Sequence, residues 1–256
     1  MRVGIVGCGA IGTDLAKFAA AQPEISGLLL FDQSPERAEQ LAKLTPKSKV
    51  ARSGEALVKE VELVIECASQ DAARLYLPLA INASRSVMCL SMGVFADDKF
   101  RNQLIETARK NNVKIYLPSG AIAAVDALKA AALSRITSVT LVTTKPPAAL
   151  GIKADKWTIL FDGTAREAVK KFPLNVNVAA CLSLAGIGFD QTRVQVVADP
   201  LATRNQHKVI IEGDFGRIRT EVENLPSPAN PKTSYLAILS AMATLRRILD
   251  PVQLSA

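Results

Sequence analysis

The chain has 256 residues, of which 49% are hydrophobic and 5% aromatic, and its formal net charge is +7. This length suits one large or two modest domains, and no apolar run reaches the ~18 residues of a membrane span. The N-terminus lacks a signal-peptide pattern, the basic residues form no long run, and aromatic residues are few. We therefore expect a cytoplasmic protein that binds neither membranes nor nucleic acid. Its positive charge suits an anionic small molecule, and equally an ordinary solvated basic surface.

Residues 1–32 carry the clearest pattern. The apolar run 2–6 predicts a buried strand, residues 13–21 predict a helix, and the run 28–31 predicts a second strand. A strand, a helix and a strand in this order are the frame of a dinucleotide-binding unit.

Glycines follow the first strand in the spacing G-x-G-x-x-G, and an acid ends the second strand. Gly7 allows a tight turn, Gly9 lets a pyrophosphate approach the backbone, and Gly12 lets the helix pack closely on the strand. The helix start holds phosphates, and Asp32 accepts hydrogen bonds from the ribose, so we predict NAD as cofactor with NADP also possible. A doubly wound domain that has these glycines only for packing is the alternative. The predicted cofactor-binding residues here are Gly7, Gly9, Ala10, Ile11, Gly12 and Asp32.

Strands and helices continue to alternate up to residue 118. The predicted helices are 34–44, 70–83 and 95–111, and the predicted strands are 61–68, 86–91 and 113–117, with a short strand and turn at 52–58. Short joins between alternating elements predict a Rossmann-type, doubly wound parallel sheet.

The pattern changes after residue 118, where several strands alternate polar and apolar residues. The predicted strands are 136–144, 157–161, 192–198, 207–212 and 217–222, and the predicted helices are 121–133, 164–171, 175–185 and 232–249. Such alternation is typical of an antiparallel sheet open on one face, so we predict an α+β domain and a homodimer. The predicted domains are 1–118 for dinucleotide binding, 119–230 for substrate binding and dimerisation, and 231–256 as a C-terminal helix returning to the first domain.

The cysteines Cys8, Cys67, Cys89 and Cys181 are far apart in sequence and form no C-x-x-C pair. Since the chain has one histidine, a Cys/His metal site is not expected. The sequence predicts reduced, mostly buried thiols.

Four stretches, 119–128, 172–190, 198–207 and 224–240, resemble the L-aspartate dehydrogenase family. With the glycine loop, the resemblance covers nearly the whole chain. It implies NAD(P)-dependent oxidation of L-aspartate, a dicarboxylic amino acid, to iminoaspartate. This imine hydrolyses to oxaloacetate and ammonia or feeds pyridine-nucleotide synthesis.

The resemblance also implies site residues. The family's active-site histidine falls on His207, and its contacts to the nicotinamide fall on Ala121 and Asn177. The chain departs from the family at Ala123 and Ala124, where the family has a glycine pair.

His207 is the only side chain here whose unperturbed pKa lies near neutrality. Hydride leaves Cα of an amino acid only after the ammonium loses a proton, so the reaction needs a base. His207 is expected at the start of a strand, facing a cleft, with Asp126 or Asp199 as its orienting acid. A structural histidine at a strand end is the alternative.

A carboxylate site is predicted where the last helix begins. Asn230 suits the N-cap and Pro231 the first turn, so free N–H groups would bind an anion. Plain helix capping with a solvated lysine is the alternative. The predicted substrate-binding residues are Lys232, Thr233, Ser234 and, as a weaker candidate, Arg204.

Two other classes compete with this interpretation. One is a different two-domain nicotinamide enzyme, similar to homoserine dehydrogenase or dihydrodipicolinate reductase, which the stretches 172–190 and 224–240 disfavour. The other is a non-catalytic dinucleotide sensor, which His207 and the segment 230–234 disfavour.

Overall fold

The computed structural model describes residues 1–172, 177–228 and 230–252, apart from the side chains of Pro231 and Lys232. Contacts divide the described chain into two compact units. The first comprises Met1–Pro118 and Ala241–Val252, and the second comprises Ser119–Ser240. Within the described ranges, no helix is both long and apolar enough to cross a membrane. The roles assigned above to residues 1–118, 119–230 and 231–256 stay predictions.

The first unit holds a parallel sheet with helices between its strands. The strands are β1 (Arg2–Val6), β2 (Gly27–Phe31), β3 (Ser48–Val50), β4 (Leu63–Glu66), β5 (Ser86–Cys89) and β6 (Ile115–Tyr116). The helices are α1 (Ala10–Ala20), α2 (Pro35–Leu44), α3 (Gly54–Glu60), α4 (Gln70–Asn82) and α5 (Asp98–Lys110). The strand order is β3-β2-β1-β4-β5-β6, and every pairing is parallel. The predicted Rossmann sheet is confirmed.

The second unit is an α+β domain. Its strands are β7 (Ile136–Lys145), β8 (Thr158–Thr164), β9 (Thr192–Ala198), β10 (Asn205–Gly213), β11 (Gly216–Asn224), β12 (Pro226–Ser227) and β13 (Asn230–Ser234). Its helices are α6 (Val125–Ala131), α7 (Ala165–Lys171) and α8 (Asn177–Ala185). Five strands form a sheet in the order β11-β10-β7-β9-β8, in which only β7 and β9 pair in parallel. The predicted mainly antiparallel sheet is confirmed.

Strand β3 (Ser48–Val50) was not predicted, and two helix starts in the first unit differ from prediction. The segment 52–58 was expected to be a short strand and turn, but Ser53 accepts a hydrogen bond from the Ala56 N–H (3.1 Å) and caps α3. The expected helix 95–111 is divided, because Met92–Ala96 form a 3-10 helix and Asp97 caps α5. In both places a capping side chain decides where the helix begins.

The start of the C-terminal helix was predicted wrongly. Asn230–Ser234 is the strand β13, which pairs with β12, and the helix α9 (Tyr235–Leu249) begins at Tyr235. The Tyr235 N–H donates to the Leu225 carbonyl (2.9 Å), so the chain enters α9 from a hairpin. Lys232 is therefore not at a helix N-terminus, and the expectation of an anion site on the free N–H groups of a helix beginning there was wrong. The predicted helix start at Asn175 lies outside the described residues.

The end of α9 belongs to the first unit. Ala241 and Leu245 are fully buried in the apolar core that also contains Leu15, Ile25 and Leu30. Apolar residues four apart lie on one face of a helix, which explains how α9 joins this core.

Ala124 stands immediately before α6 in a left-handed conformation. Its φ is +66°, in a region that residues with a β-carbon rarely adopt. The resemblance placed a family glycine pair at Ala123 and Ala124. A glycine at this position avoids the steric cost that alanine incurs.

We expect Ala124→Gly to raise the melting temperature. Relief of the left-handed strain, about 1–2 kcal/mol, exceeds the added flexibility of the unfolded chain, about 0.4–1 kcal/mol. The exposed neighbour Ala123 has no positive φ, so Ala123→Gly, the matched control, should lower the melting temperature. Differential scanning calorimetry distinguishes the two, and a melting temperature of Ala124→Gly below wild type would contradict the argument.

Candidate active site

The glycine loop between β1 and α1 lets α1 pack closely on β1 and leaves room for a ligand beside the backbone. Gly7 has a φ of +102°, and a β-carbon on Gly12 would lie 1.9 Å from the Gly7 carbonyl oxygen. A β-carbon on Gly9 would meet nothing within 4 Å, so the space above Gly9 is open. Helix α1 begins at Ala10, and its first N–H groups, including those of Ala10 and Ile11, lack intrahelical partners. Open space over free N–H groups fits a pyrophosphate.

Asp32 fixes the other side of this loop. Its carboxylate accepts hydrogen bonds from the Cys8 N–H (2.7 Å) and the Ser34 N–H (2.9 Å). The pocket around it lies within the first unit, and its lining is Val6, Gly7, Gly9, Phe31, Asp32, Gln33, Arg37, Cys67, Ala68, Ser69, Ala72 and Tyr76. The glycine loop, the acid and an arginine therefore meet in one pocket that fits an adenosine ribose and its phosphates.

Glu66, at the end of β4, was missed by the sequence analysis. It is fully buried and accepts hydrogen bonds from the N–H groups of Ala68 (2.8 Å) and Ser69 (3.0 Å). The Ser91 hydroxyl (3.0 Å) and the Cys89 thiol (3.4 Å) also donate to it, and burial raises the pKa of its carboxyl. Glu66 therefore holds the loop that forms one wall of the pocket. The sequence feature that could have identified Glu66 was a single acidic residue at the end of an apolar run.

The cysteines are free thiols, and three of the four are buried. Burial raises the pKa of Cys8 and of Cys181 to about 12, so both stay protonated at neutral pH. The prediction of mostly buried thiols is confirmed. Among the described residues no group of three His, Cys, Asp or Glu side chains is arranged to hold a metal ion.

His207 lies inside β10, and not at a loop facing a cleft as predicted. The strand begins at Asn205, and His207 pairs with Thr143 of β7 and Val222 of β11. The residue is 5% exposed, and its Nδ1 is 3.0 Å from the Thr143 hydroxyl. Burial, and then the charge of Lys145, lower the pKa of His207 to about 4. The imidazole is therefore neutral at pH 7.

The expected orienting acids do not hold His207. Asp126 is exposed on α6, and Asp199 accepts a hydrogen bond from the Leu201 N–H (2.9 Å). The partner of Nδ1 is Thr143, a buried polar residue that sequence reasoning missed. The sequence feature that could have identified Thr143 was its inward position in the alternating run 136–144.

The residues matched to the nicotinamide contacts lie in the same unit as His207. The Ala121 carbonyl accepts a hydrogen bond from the Asn224 side chain (3.2 Å), and Asn224 pairs with Asn205, two residues before His207. The loop carrying Ala121 is thus tied to the strand pair that carries His207. The buried Oδ1 of Asn224 has no hydrogen-bond partner among the described residues. Asn177 is the partly exposed first residue of α8.

The predicted substrate-binding residues lie in β13 and directly before β10. The Thr233 hydroxyl accepts a hydrogen bond from the Asn230 side chain (3.0 Å), and Ser234 ends β13. Arg204 lies 3.7 Å from the Glu223 carboxylate, and both side chains are about half exposed. A role in substrate binding for Lys232, Thr233, Ser234 and Arg204 stays a prediction.

A parallel sheet in this order, an open glycine loop and an acid directly after the second strand are those of a dinucleotide-binding protein. Comparison with known families agrees. Residues 7–118 match the NAD-binding domain of homoserine dehydrogenase, and residues 126–248 match the aspartate dehydrogenase C-terminal family. The chain therefore carries an NAD(P)-binding domain joined to a second domain of known type.

Full-length relatives give the same result. The L-aspartate dehydrogenases of Methanosarcina acetivorans and Methanosarcina mazei are 49% and 50% identical to this chain, each over 99% of both proteins. The crystal structure of aspartate dehydrogenase from Thermotoga maritima matches with a TM-score of 0.83 at 28% identity, over 99% of both chains. The chain belongs to the L-aspartate dehydrogenase family.

We expect NAD to have a lower KM than NADP, because the Asp32 carboxylate accepts from a ribose diol and repels a 2′-phosphate. Asp32→Ala should lower kcat/KM for NAD by about one to two decades, the cost of a hydrogen bond to a charged group. The loss for NADP should be smaller, since Arg37 stays in the pocket.

Asp32→Asn is the control, because the amide keeps one acceptor for the loop and loses the charge. Steady-state kinetics with both cofactors measure the ratio. A wild-type KM for NADP below that for NAD would show this assignment of Asp32 to be wrong.

Proposed function

We propose that this chain is a cytoplasmic, homodimeric NAD(P)-dependent L-aspartate dehydrogenase with His207 as general base. The observation that carries the proposal is a buried imidazole, hydrogen-bonded to Thr143, in the part of the chain that matches the aspartate dehydrogenase C-terminal family. Relatives of the same length that are named L-aspartate dehydrogenases support the same reaction here. When bound, the nicotinamide accepts the hydride that leaves Cα of the substrate.

His207 removes the proton that blocks this step. An ammonium nitrogen has no lone pair to support loss of hydride from Cα, so it must first be deprotonated. The base role requires the tautomer in which Nδ1–H donates to the Thr143 hydroxyl and Nε2 carries the free lone pair. Burial keeps the imidazole neutral, so the accepting form is present before the substrate binds.

The substrate itself strengthens this base. A pKa of about 4 would make His207 a weak acceptor. The two carboxylates of aspartate favour the charged imidazolium and raise the pKa of His207 in the complex. Once His207 has released that proton to solvent, the neutral imidazole can accept a proton from the water that adds to the imine carbon, and loss of ammonia from the resulting carbinolamine gives oxaloacetate.

A substrate screen tests the reaction. NADH absorbance is followed with each proteinogenic amino acid and with homoserine, then in reverse with oxaloacetate and ammonia. Turnover on aspartate above the other amino acids supports the proposal. Turnover on homoserine would favour the rival enzyme class, whose match is confined to residues 7–118. Cofactor binding without any turnover would favour a dinucleotide sensor.

We expect His207→Gln to lower kcat for aspartate by about 10²–10⁴-fold, the usual contribution of general base catalysis. Glutamine is preferred to alanine because His207 is buried, and a truncated side chain would leave a cavity. NADH affinity, measured by fluorescence titration, should equal that of wild type. A variant that binds NADH normally and oxidises aspartate at the wild-type rate would make His207 structural.

The pH profile is the second readout of this prediction. The basic form of free His207 exists above its pKa of about 4, so kcat/KM should keep its acidic limb well below pH 6.5. The acidic limb of kcat should lie at higher pH, because the bound carboxylates raise the pKa in the complex. His207→Gln should lack both limbs.

The homodimer is proposed to form through the open face of the second unit, defined here by Thr140, Val142, Lys208 and Ile210. These residues alternate with the buried positions of β7 and β10 and are only partly covered. The free cysteines suit a reducing compartment such as the cytoplasm.

We expect sedimentation velocity to give a dimer at micromolar concentration. Ile210→Glu puts a charge on the open face and should give monomers, because an unpaired charge at an interface is costly. Leu133→Glu is the control, since Leu133 is 93% exposed outside that face, and it should remain dimeric. A monomeric wild-type protein would exclude the dimer.

A further inference from the structure

Asn224 is a buried polar side chain at one end of the sheet of the second unit. It is the last residue of β11 and is 2% exposed. Its Nδ2 donates a hydrogen bond to the Ala121 carbonyl (3.2 Å), whereas its buried Oδ1 has no hydrogen-bond partner among the described residues. A buried acceptor without a partner is destabilising. The useful part of this side chain is therefore its N–H donor, which holds the loop that carries Ala121.

Strand register places Asn224 close to the proposed base. His207 pairs with Val222 on β11, and Asn224 lies two residues further along that strand. Paired residues share a face of the sheet, and so do residues two apart on one strand, so Asn224 is on the same face as His207. Diagonal neighbours of this kind lie about 7–8 Å apart. The loop that Asn224 holds therefore lies next to the strand pair that carries the imidazole.

Side chains from two elements hold the loop 119–124. The Gly120 N–H donates to the Ser240 hydroxyl of α9 (3.0 Å), and the Ala121 carbonyl accepts from Asn224 of β11. Gly120 and Ala124 have φ values of +73° and +66°, so the backbone is left-handed on either side of Ala121. A loop of this shape depends on specific hydrogen bonds to keep its position, and the bond from Asn224 is the one nearest to His207 along the sheet.

We propose that Asn224 is a positioning residue that fixes the loop 119–124 beside the reacting end of the cofactor. This inference rests on the proposed function. Hydride transfer from a substrate that contacts His207 requires the nicotinamide to lie within about 3–3.5 Å of the substrate Cα. A loop next to His207 then borders the nicotinamide. Asn224 acts through the Ala121 carbonyl, and His207 moves the proton.

The test compares NADH with ADP-ribose, which contains the adenosine and the pyrophosphate but lacks the nicotinamide. Calorimetric titration of the full-length protein measures both dissociation constants. Asn224→Ala should weaken NADH binding about two- to tenfold, the effect of one lost hydrogen bond, and leave ADP-ribose binding unchanged. The kcat for aspartate should fall further, by up to about 10²-fold, because a small misplacement of the reacting groups slows the reaction.

Asn111→Ala is the matched control. Asn111 is the C-cap of α5, and its Nδ2 donates to the Ile81 carbonyl (2.8 Å), so this variant loses the same kind of hydrogen bond in the first unit. It should bind NADH and ADP-ribose as wild type does and keep the wild-type kcat. If Asn224→Ala folds poorly, Asn224→Ser replaces it, because serine keeps a polar group but is one bond too short to reach the Ala121 carbonyl. A normal melting curve is required of the variant used.

Equal weakening of NADH and ADP-ribose binding by the Asn224 variant would indicate a general loss of structure and would overturn the inference. NADH binding at the wild-type affinity would overturn it as well. If the variant loses NADH affinity selectively but the wild type oxidises no amino acid, the role of Asn224 stands and the proposed dehydrogenase function fails.

Discussion

The contact between Gly12 and the Gly7 carbonyl sets the distance between α1 and β1, and the cofactor pocket depends on it. A β-carbon at Gly12 would lie 1.9 Å from that oxygen, so any larger residue would push the helix away from the strand. Beside the start of α1, the space over Gly9 is open. The Asp32 carboxylate bonds the Cys8 N–H from the neighbouring strand, so two elements fix the loop.

Glu66 does for the opposite wall of the pocket what Asp32 does for the glycine loop. Each acid ends a parallel strand and accepts backbone N–H groups from the loop beside it. The difference is burial: Asp32 stays partly exposed and able to accept from a ligand, whereas Glu66 is fully enclosed by protein donors. One acid is therefore available for binding, and the other supports the wall.

The sequence predicted the strands and helices of both units well where apolar periodicity was long, as in β1, β7 and β9. It failed where one side chain or a hairpin decided the outcome. Ser53 capped α3 inside a segment that looked like a strand, and the hairpin of β12 and β13 moved the start of α9 to Tyr235. An apolar pattern alone does not report which side chain caps a helix or which short segments pair in a hairpin.

The same limit applies to the site. Gly7, Gly9, Gly12 and Asp32 are adjacent through one strand–helix–strand unit, so their spacing was informative. His207 was identified through family resemblance, but its surroundings were not, because they arise from pairing β10 with β7 across 64 residues of sequence. In the sequence, Thr143 is one of several inward positions of an alternating strand, and the register places it opposite the imidazole.

The register between β7 and β10 affects the charge state of His207 as well as its orientation. It puts a lysine and a histidine on one buried face, where two positive charges would repel each other strongly. The protein resolves this by keeping His207 neutral, and the charge of Lys145 contributes to that state. Under the proposed function, the two carboxylates of a bound aspartate would shift this balance, because nearby negative charge favours the protonated imidazole. A bound aspartate would then make His207 a stronger base than it is in the free protein. An amino acid without a second carboxylate would have a weaker effect, which gives a physical reason for the proposed pairing of a buried histidine of low pKa with an acidic substrate.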